Sequence, residues 1–285
     1  MCDLPIPVNF DLCHGVAWPT SLVLRAVATG DDYSKGAAIE LFGDAVASEK
    51  QWTDARDYWR YDPDGFRVAL HPASNADILF DPWDDANTRS HDGVPLVFKR
   101  SPTPTPYANT VVYPAWPRKE TLGLNFGLVE RTECPVVSFC GVANRPECRA
   151  AMIEAFRDTS AVDFRLTTRA KFAHPGTGAF LGMIRESHFV LCPPGVGRFS
   201  YRLYETLAAG RIPVVPKGQH AIPPEIANRV VISYATTPEE LRSEWDSDLR
   251  KRWATAHIQN KYVWMDYASP LGALKWMALE GAKRL

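Results

Sequence analysis

The chain has 285 residues, more than one hydrophobic core usually fills, so two domains are expected. Hydrophobic residues make up 46% and charged residues 23%, the composition of an ordinary soluble globular protein. A formal net charge of −1 gives no general electrostatic grip on nucleic acid or anionic lipid, so neither is an expected partner.

The charge is unevenly spread. Residues 1–135 carry 12 Lys and Arg against 19 Asp and Glu, a balance of −7; residues 136–285 carry 20 against 14, a balance of +6. The second half is the better place for a phosphate-bearing ligand. Met1–Phe10 holds Asp3, Pro5 and Pro7 and lacks a basic segment before an apolar run, so no secretory leader is expected. No stretch approaches the roughly 18 apolar residues of a spanning helix. The cysteines (Cys2, Cys13, Cys134, Cys140, Cys148, Cys192) form no CxxC pair. They read as buried reduced thiols of a cytoplasmic protein, not as a disulfide frame or a zinc site.

In chain order, Ile6–Cys13 alternates as a strand, and Ser21–Thr29 reads as a helix that Gly30 stops. Phe66–Leu70, Ala76–Phe80, Pro95–Lys99 and Thr110–Tyr113 are short strand candidates, with a proline-stiffened connection at Ser101–Asn109. The second half is clearer. Val136–Cys140 is a buried strand ending at Gly141, and Pro146–Arg157 is a helix with Met152, Ile153 and Phe156 on its apolar face. Strands follow at Val162–Leu166, His188–Cys192, Ile212–Val215 and Arg229–Tyr234. Helices are expected at Gly178–Glu186, Phe199–Ala209 and Pro238–Trp245, then at Asp248–Met265 and Leu271–Arg284. Alternating strands and helices specify a parallel sheet covered on both faces. Two such α/β domains facing each other would leave a cleft at the carboxyl ends of their strands.

The stretch from His188 to Val215 holds the chemistry. Pro193 and Pro194 stop strand pairing, while Gly195 and Gly197 permit close backbone approach by a ligand. The helix that follows aims its free N–H groups and positive dipole end at the loop, which suits a diphosphate. Arg198 and Arg202 are spaced to flank such an anion, and Ser200 can cap the helix or donate to the ligand. Phe199, Leu203 and Leu207 form a core stripe, with Tyr201 and Glu205 on a second line. Glu205 lies where a ribose would fall, and a carboxylate can accept from two vicinal hydroxyls. The same residues also suit an ordinary strand-to-helix turn in which Glu205 pairs with Arg198 or Arg202. The loop matches neither a P-loop nor a GxGxxG fingerprint.

The pattern of Ser187, Cys192-Pro193, Gly195, Glu205 to Gly210 and Ile212-Pro213-Val214-Val215 resembles the C-terminal signature of exostosin-like glycosyltransferases (family 47). VVSFCGVANR (Val136–Arg145) resembles that family's FxG…R segment, which adds Gly141 and Arg145. The likeness covers about Val136–Val215 and departs at Arg211, where cysteine is frequent. It implies a GT-B fold. The domains would be an acceptor-side Rossmann-like domain over 1–133, a nucleotide-sugar-binding Rossmann-like domain over 134–264, and a C-terminal helix over 265–285 crossing back onto the first. It further implies an inverting, metal-independent transfer from a nucleotide-diphosphate sugar, most simply a UDP-sugar, to a glycan or glycoconjugate hydroxyl, with no cofactor. Glu205 would then hold the ribose, while Arg145, Arg198, Ser200 and Arg202 neutralise the leaving diphosphate.

Inversion also needs a base near the acceptor, expected at the carboxyl end of a strand in the first half. His14 follows the first strand and titrates near neutrality. Asp81 and His71 end other strand candidates; DPWDD around Asp81 is equally a turn. Lys99 and Arg100 are candidates for phosphate or acceptor contact, and Trp18 for stacking on a sugar. Asp62-Pro63-Asp64 is formally a metal-binding DxD of GT-A enzymes, though YDPDG reads more simply as a turn. A non-catalytic nucleotide- or sugar-binding module is the further alternative.

Overall fold

The computed structural model describes residues 68–70, 78–81, 96–99, 110–112, 126–142, 147–157, 159–168, 177–194, 200–218, 222, 224–269 and 276. The chain divides into two compact units. One comprises Met1–Trp83, Asn87–Tyr113 and Pro270–Leu285; the other comprises Asp84–Ala86 and Pro114–Ser269.

In the first unit, β1 (Val68–Leu70), β2 (Ile78–Asp81), β3 (Leu96–Lys99) and β4 (Thr110–Val112) form a parallel sheet in sequential order. β1, β3 and β4 fall within the runs that their β-branched and aromatic residues predict, and β2 overlaps its run but continues one residue further, to Asp81. Leu96, Val97 and Phe98 of β3 are fully buried, as a central parallel strand requires. The expected strand Ile6–Cys13 and helix Ser21–Thr29 lie outside the described residues.

In the second unit, β5 (Val136–Gly141), β6 (Asp163–Thr168), β7 (Phe189–Leu191) and β8 (Ile212–Val214) pair in parallel in the order β6-β5-β7-β8. The chain runs outward from β5 to β6, returns to β7 on the other side of β5, and continues to β8. The strand order therefore reverses between β5 and β7, the kind of point at which open α/β sheets bind ligands.

Helices cover both faces of this sheet: α1 (Glu147–Ala155), α2 (Thr177–Arg185), α3 (Tyr201–Ala208), α4 (Pro224–Ala227), α5 (Pro238–Glu244) and α6 (Trp253–Val263). On one face Met152 and Ile153 of α1, and Phe156 just after it, pack with Val137, Phe139, Leu191, Trp245 and Trp253. On the other, Phe180 and Ile184 of α2 and Leu203 and Leu207 of α3 pack with Cys140, Val190, Cys192 and Trp264. Alternate residues of β5 and β7 thus feed opposite cores, the period-2 rule of a strand.

Three local differences from the sequence reading have physical causes. The Arg229–Tyr234 strand is reduced to a single parallel bridge between Val214 and Ser233. The Asn260 side chain replaces a ladder at Val231, accepting from its N–H at 2.7 Å and donating to its carbonyl at 3.0 Å. The long helix expected over Asp248–Met265 is shorter, with π-helical turns at Trp245–Leu249 and Trp264–Ala268 on either side of α6. Five-residue bonds from Arg250 N–H to the Trp245 carbonyl and from Ser269 N–H to the Trp264 carbonyl close those turns. α3 begins at Tyr201, two residues later than expected.

α3 ends in a Schellman motif. Gly210, at φ 68°, donates to the Leu207 carbonyl, and Arg211 donates to the Thr206 carbonyl, both at 2.9 Å. Arg211 then turns inward and is fully buried. Its guanidinium donates to the carbonyls of Ile184, Gly127 and Arg185 and faces Nδ1 of His257 at 3.2 Å. Burial lowers its pKa to about 10. Beside it, desolvation and the Arg211 charge push His257 down to about 4. His188 is buried between Trp245 and Trp253, accepts from Val136 N–H at 3.1 Å and donates to the Glu130 carbonyl at 2.8 Å. Desolvation lowers it to about 4 as well, so both histidines are neutral fixtures of the core. The segment 126–133 is drawn onto the unit by further bonds, from Trp245 to the Thr132 carbonyl and from Trp253 to the Val129 carbonyl.

Candidate functional site

The carboxyl ends of β5 and β7, where the strand order reverses, bring several of the sequence candidates together. β5 ends at Gly141, whose φ of 155° favours glycine. A Cβ there would sit 2.7 Å from a terminal nitrogen of Arg202, so the glycine also makes room for that side chain. Arg202 leans across the end of β5. It donates to the Cys140 carbonyl at 2.6 Å and places its guanidinium carbon 4.5 Å from the centre of the Phe139 ring. β7 leads through Cys192 and Pro193 to Pro194, all three buried. Gly195, Gly197 and Arg198 lie outside the described residues, as does Arg145.

α3 rises from this point. Ser200 occupies its N-cap in extended conformation and is buried, but its hydroxyl makes no capping bond. In the first turn the Leu203 N–H donates to the Ser200 carbonyl at 3.2 Å. Tyr201, the first helical residue, is half-buried. From Leu203 to Ala208 every residue is buried, which places α3 in the core rather than on a surface. Glu205 lies just over one turn in and is only 3% exposed. The thiol of Cys192 lies 3.4 Å from the hydroxyl of Thr206. Desolvation pushes that thiol up to about 12, so it remains protonated and serves as a small apolar packing group.

One arginine at this point escaped the sequence reading. Arg149, in the first turn of α1, donates to the Val142 carbonyl at 3.1 Å and to the Pro194 carbonyl at 3.4 Å. In the sequence it reads as one more charge on an amphipathic helix. A cation in the first turn, where the dipole favours acids, was the available signal.

The first-unit candidates are placed only in part. Asp81 and Lys99 are the terminal residues of β2 and β3 and are direct partners in the parallel register, so their backbones adjoin at the carboxyl end of that sheet. His14, Trp18, His71, Arg100, Asp62 and Asp64 lie outside the described residues. Among the described residues no cluster of three or more His, Cys, Asp or Glu side chains is arranged to hold a metal ion. No helix among them is long and apolar enough to cross a membrane. Cys134, Cys140 and Cys192 are free thiols.

No family model matches the sequence, and no curated protein matches it. Among solved structures, the crystal structure of HepE from Anabaena in complex with UDP and glucose is similar. Its TM-score is 0.44 and its identity 12%, over 73% of this chain and 72% of that one.

Proposed function

We propose that the chain is a glycosyltransferase that takes a sugar from a nucleotide-diphosphate donor, a UDP-sugar in the first instance, and passes it with inversion to a glycan hydroxyl without a metal. The carrying observation is the convergence of Gly141, Arg202 and the start of α3 at the point where the strand order of a parallel sheet reverses. Such switch points suit phosphate-bearing ligands, because helix amides and a nearby cation meet there. The likeness of Ser187 to Val215 to the exostosin signature supports the donor chemistry, and a GT-B arrangement of the two units belongs to the same reading.

In this mechanism the sugar–oxygen bond lengthens while charge grows on the departing diphosphate. Arg202 and the first amides of α3 meet that charge, together with Arg145, Arg198 and the glycines Gly195 and Gly197 of the loop; such prepositioned donors favour the transition state over the ground state. Glu205 accepts from the two ribose hydroxyls and fixes the nucleoside. The acceptor proton passes to a base of the first unit, with Asp81 and His14 the candidates and Lys99, Arg100 and Trp18 at the acceptor or phosphate.

Glu205→Gln keeps the shape and removes the charge. Titration calorimetry with UDP and UDP-sugars is expected to show donor affinity reduced by about tenfold to a hundredfold, as for a lost charge-assisted hydrogen bond. Transfer by the wild type is expected to persist in EDTA. Unchanged affinity in the variant removes the ribose role, and abolition by EDTA removes the metal-independent mechanism. Nucleotide binding without turnover on any donor would leave a binding module.

A further inference from the structure

We propose that Arg149 is a positioning residue of the donor-phosphate site, holding the exits of β5 and β7 at a fixed separation; this rests on the donor reading above. Val142 is the first residue past β5, and Pro194 is the third past β7. They are far apart in sequence but leave the sheet side by side, because β5 and β7 are paired neighbours. One guanidinium bonds both carbonyls, at 3.1 and 3.4 Å. A carbonyl oxygen held in place fixes the plane of its peptide, and with it the direction in which each loop departs. Proline at 193 and 194 adds fixed φ angles on the β7 side.

The chemistry of the link requires arginine. Two donors on a rigid planar fork can serve two acceptors at once; a lysine ammonium is a compact point charge that cannot reproduce that spacing. The position also carries a cost. Arg149 sits in the first turn of α1, where the helix dipole disfavours a cation. Arg202 completes the brace. It reaches the Cys140 carbonyl from α3, which packs on one face of the sheet, while Arg149 reaches Val142 from α1 on the other. The end of β5 is thus gripped from both faces, and the two loops that would cradle a diphosphate start from a rigid base. Preorganisation of this kind reduces the ordering that binding must otherwise accomplish.

The test uses the full chain with Arg149→Lys and Arg149→Met, with uridine and UDP as probes. Lysine keeps the charge and loses the double bond; methionine keeps only the stem. Both variants are expected to lose about tenfold in UDP affinity while uridine, which lacks phosphate, binds as in the wild type. In turnover the donor KM is expected to rise more than kcat falls. Wild-type UDP affinity in Arg149→Lys would overturn the proposal, since charge alone would then suffice. Parallel weakening of UDP and uridine, or loss of the far-UV spectrum in both variants, would overturn it in favour of a general role in folding. A wild-type chain that binds no nucleoside diphosphate overturns the donor reading and this one with it, whereas wild-type binding with unaltered variants overturns this one alone.

Discussion

Replacing Gly141 by alanine probes the end of β5 directly. The backbone there has φ 155°, a region that costs a non-glycine residue about 1–3 kcal/mol. The new Cβ would also fall 2.7 Å from the Arg202 terminal nitrogen and 3.6 Å from the Phe139 ring. The ring is fully buried, so the guanidinium must move. That breaks its 2.6 Å bond to the Cys140 carbonyl, worth about 1.5–3 kcal/mol for a charged donor. Because Arg202 is half-buried, water recovers part of that loss. Gly141→Ala should therefore destabilise the second unit by about 2–4 kcal/mol. The measurement is guanidinium unfolding followed by tryptophan fluorescence. Gly182→Ala is the control: it lies within α2 with nothing within 4 Å of an added Cβ, and should gain up to about 1 kcal/mol from helix propensity. In an Arg202→Ala background the Gly141 penalty should shrink to the backbone strain alone. A penalty identical in both backgrounds, or absent in the wild-type background, would refute the steric account.

Gly210→Ala should be far more damaging, since its Cβ would meet the buried His257 ring at 2.4 Å and the His257 backbone carbonyl at 2.9 Å, at φ 68°; soluble expression with a native melting curve would contradict this. Stability should fall with acidity. His188 and His257 have folded pKa values of about 4 against an ordinary 6.5, so below pH 6.5 the unfolded chain takes up protons that the folded chain refuses. The unfolding midpoint should be flat above about pH 6.5 and decline progressively down to about pH 4; a flat profile across that window would show that the two rings are not held neutral.

The strand–helix–strand order from Phe189 to Val214 was legible because each of its signals is local. Phe189-Val190-Leu191 and Ile212–Val214 are short apolar runs, Leu203 and Leu207 keep helical spacing, and Gly210 supplies the left-handed stop. What could not be read depends on distant partners. Nothing near Arg211 in the sequence marks it as a buried cation. Its carbonyl partners at Gly127, Ile184 and Arg185 come from two segments that no local window joins to it. Asn260 is invisible for the same reason, since a side chain that mimics a strand partner leaves no periodic trace at Val231. Of the site, Gly141, Ser200, Tyr201, Arg202 and Glu205 were named from spacing and resemblance. Arg149 was hidden inside an amphipathic helix whose apolar face accounted for it.

The anchoring of segment 126–133 has a consequence for the order in which the chain folds. His188 and Arg211 hold its Glu130 and Gly127 carbonyls, but the remaining partners come much later in the chain: Trp245 binds a carbonyl 113 residues upstream, Trp253 one 124 upstream, and Lys261 reaches the Phe126 carbonyl across 135 residues. During synthesis the beginning of the second unit has emerged long before these anchors exist. β5 through β8 can assemble early with His188 and Arg211 holding two carbonyls of the strip that enters β5, but its docking is complete only after about residue 261 has left the ribosome. Contacts of such range slow folding and leave an apolar margin open meanwhile. The closing of this unit is timed by its carboxyl-terminal helix, which acts as a clasp delivered last.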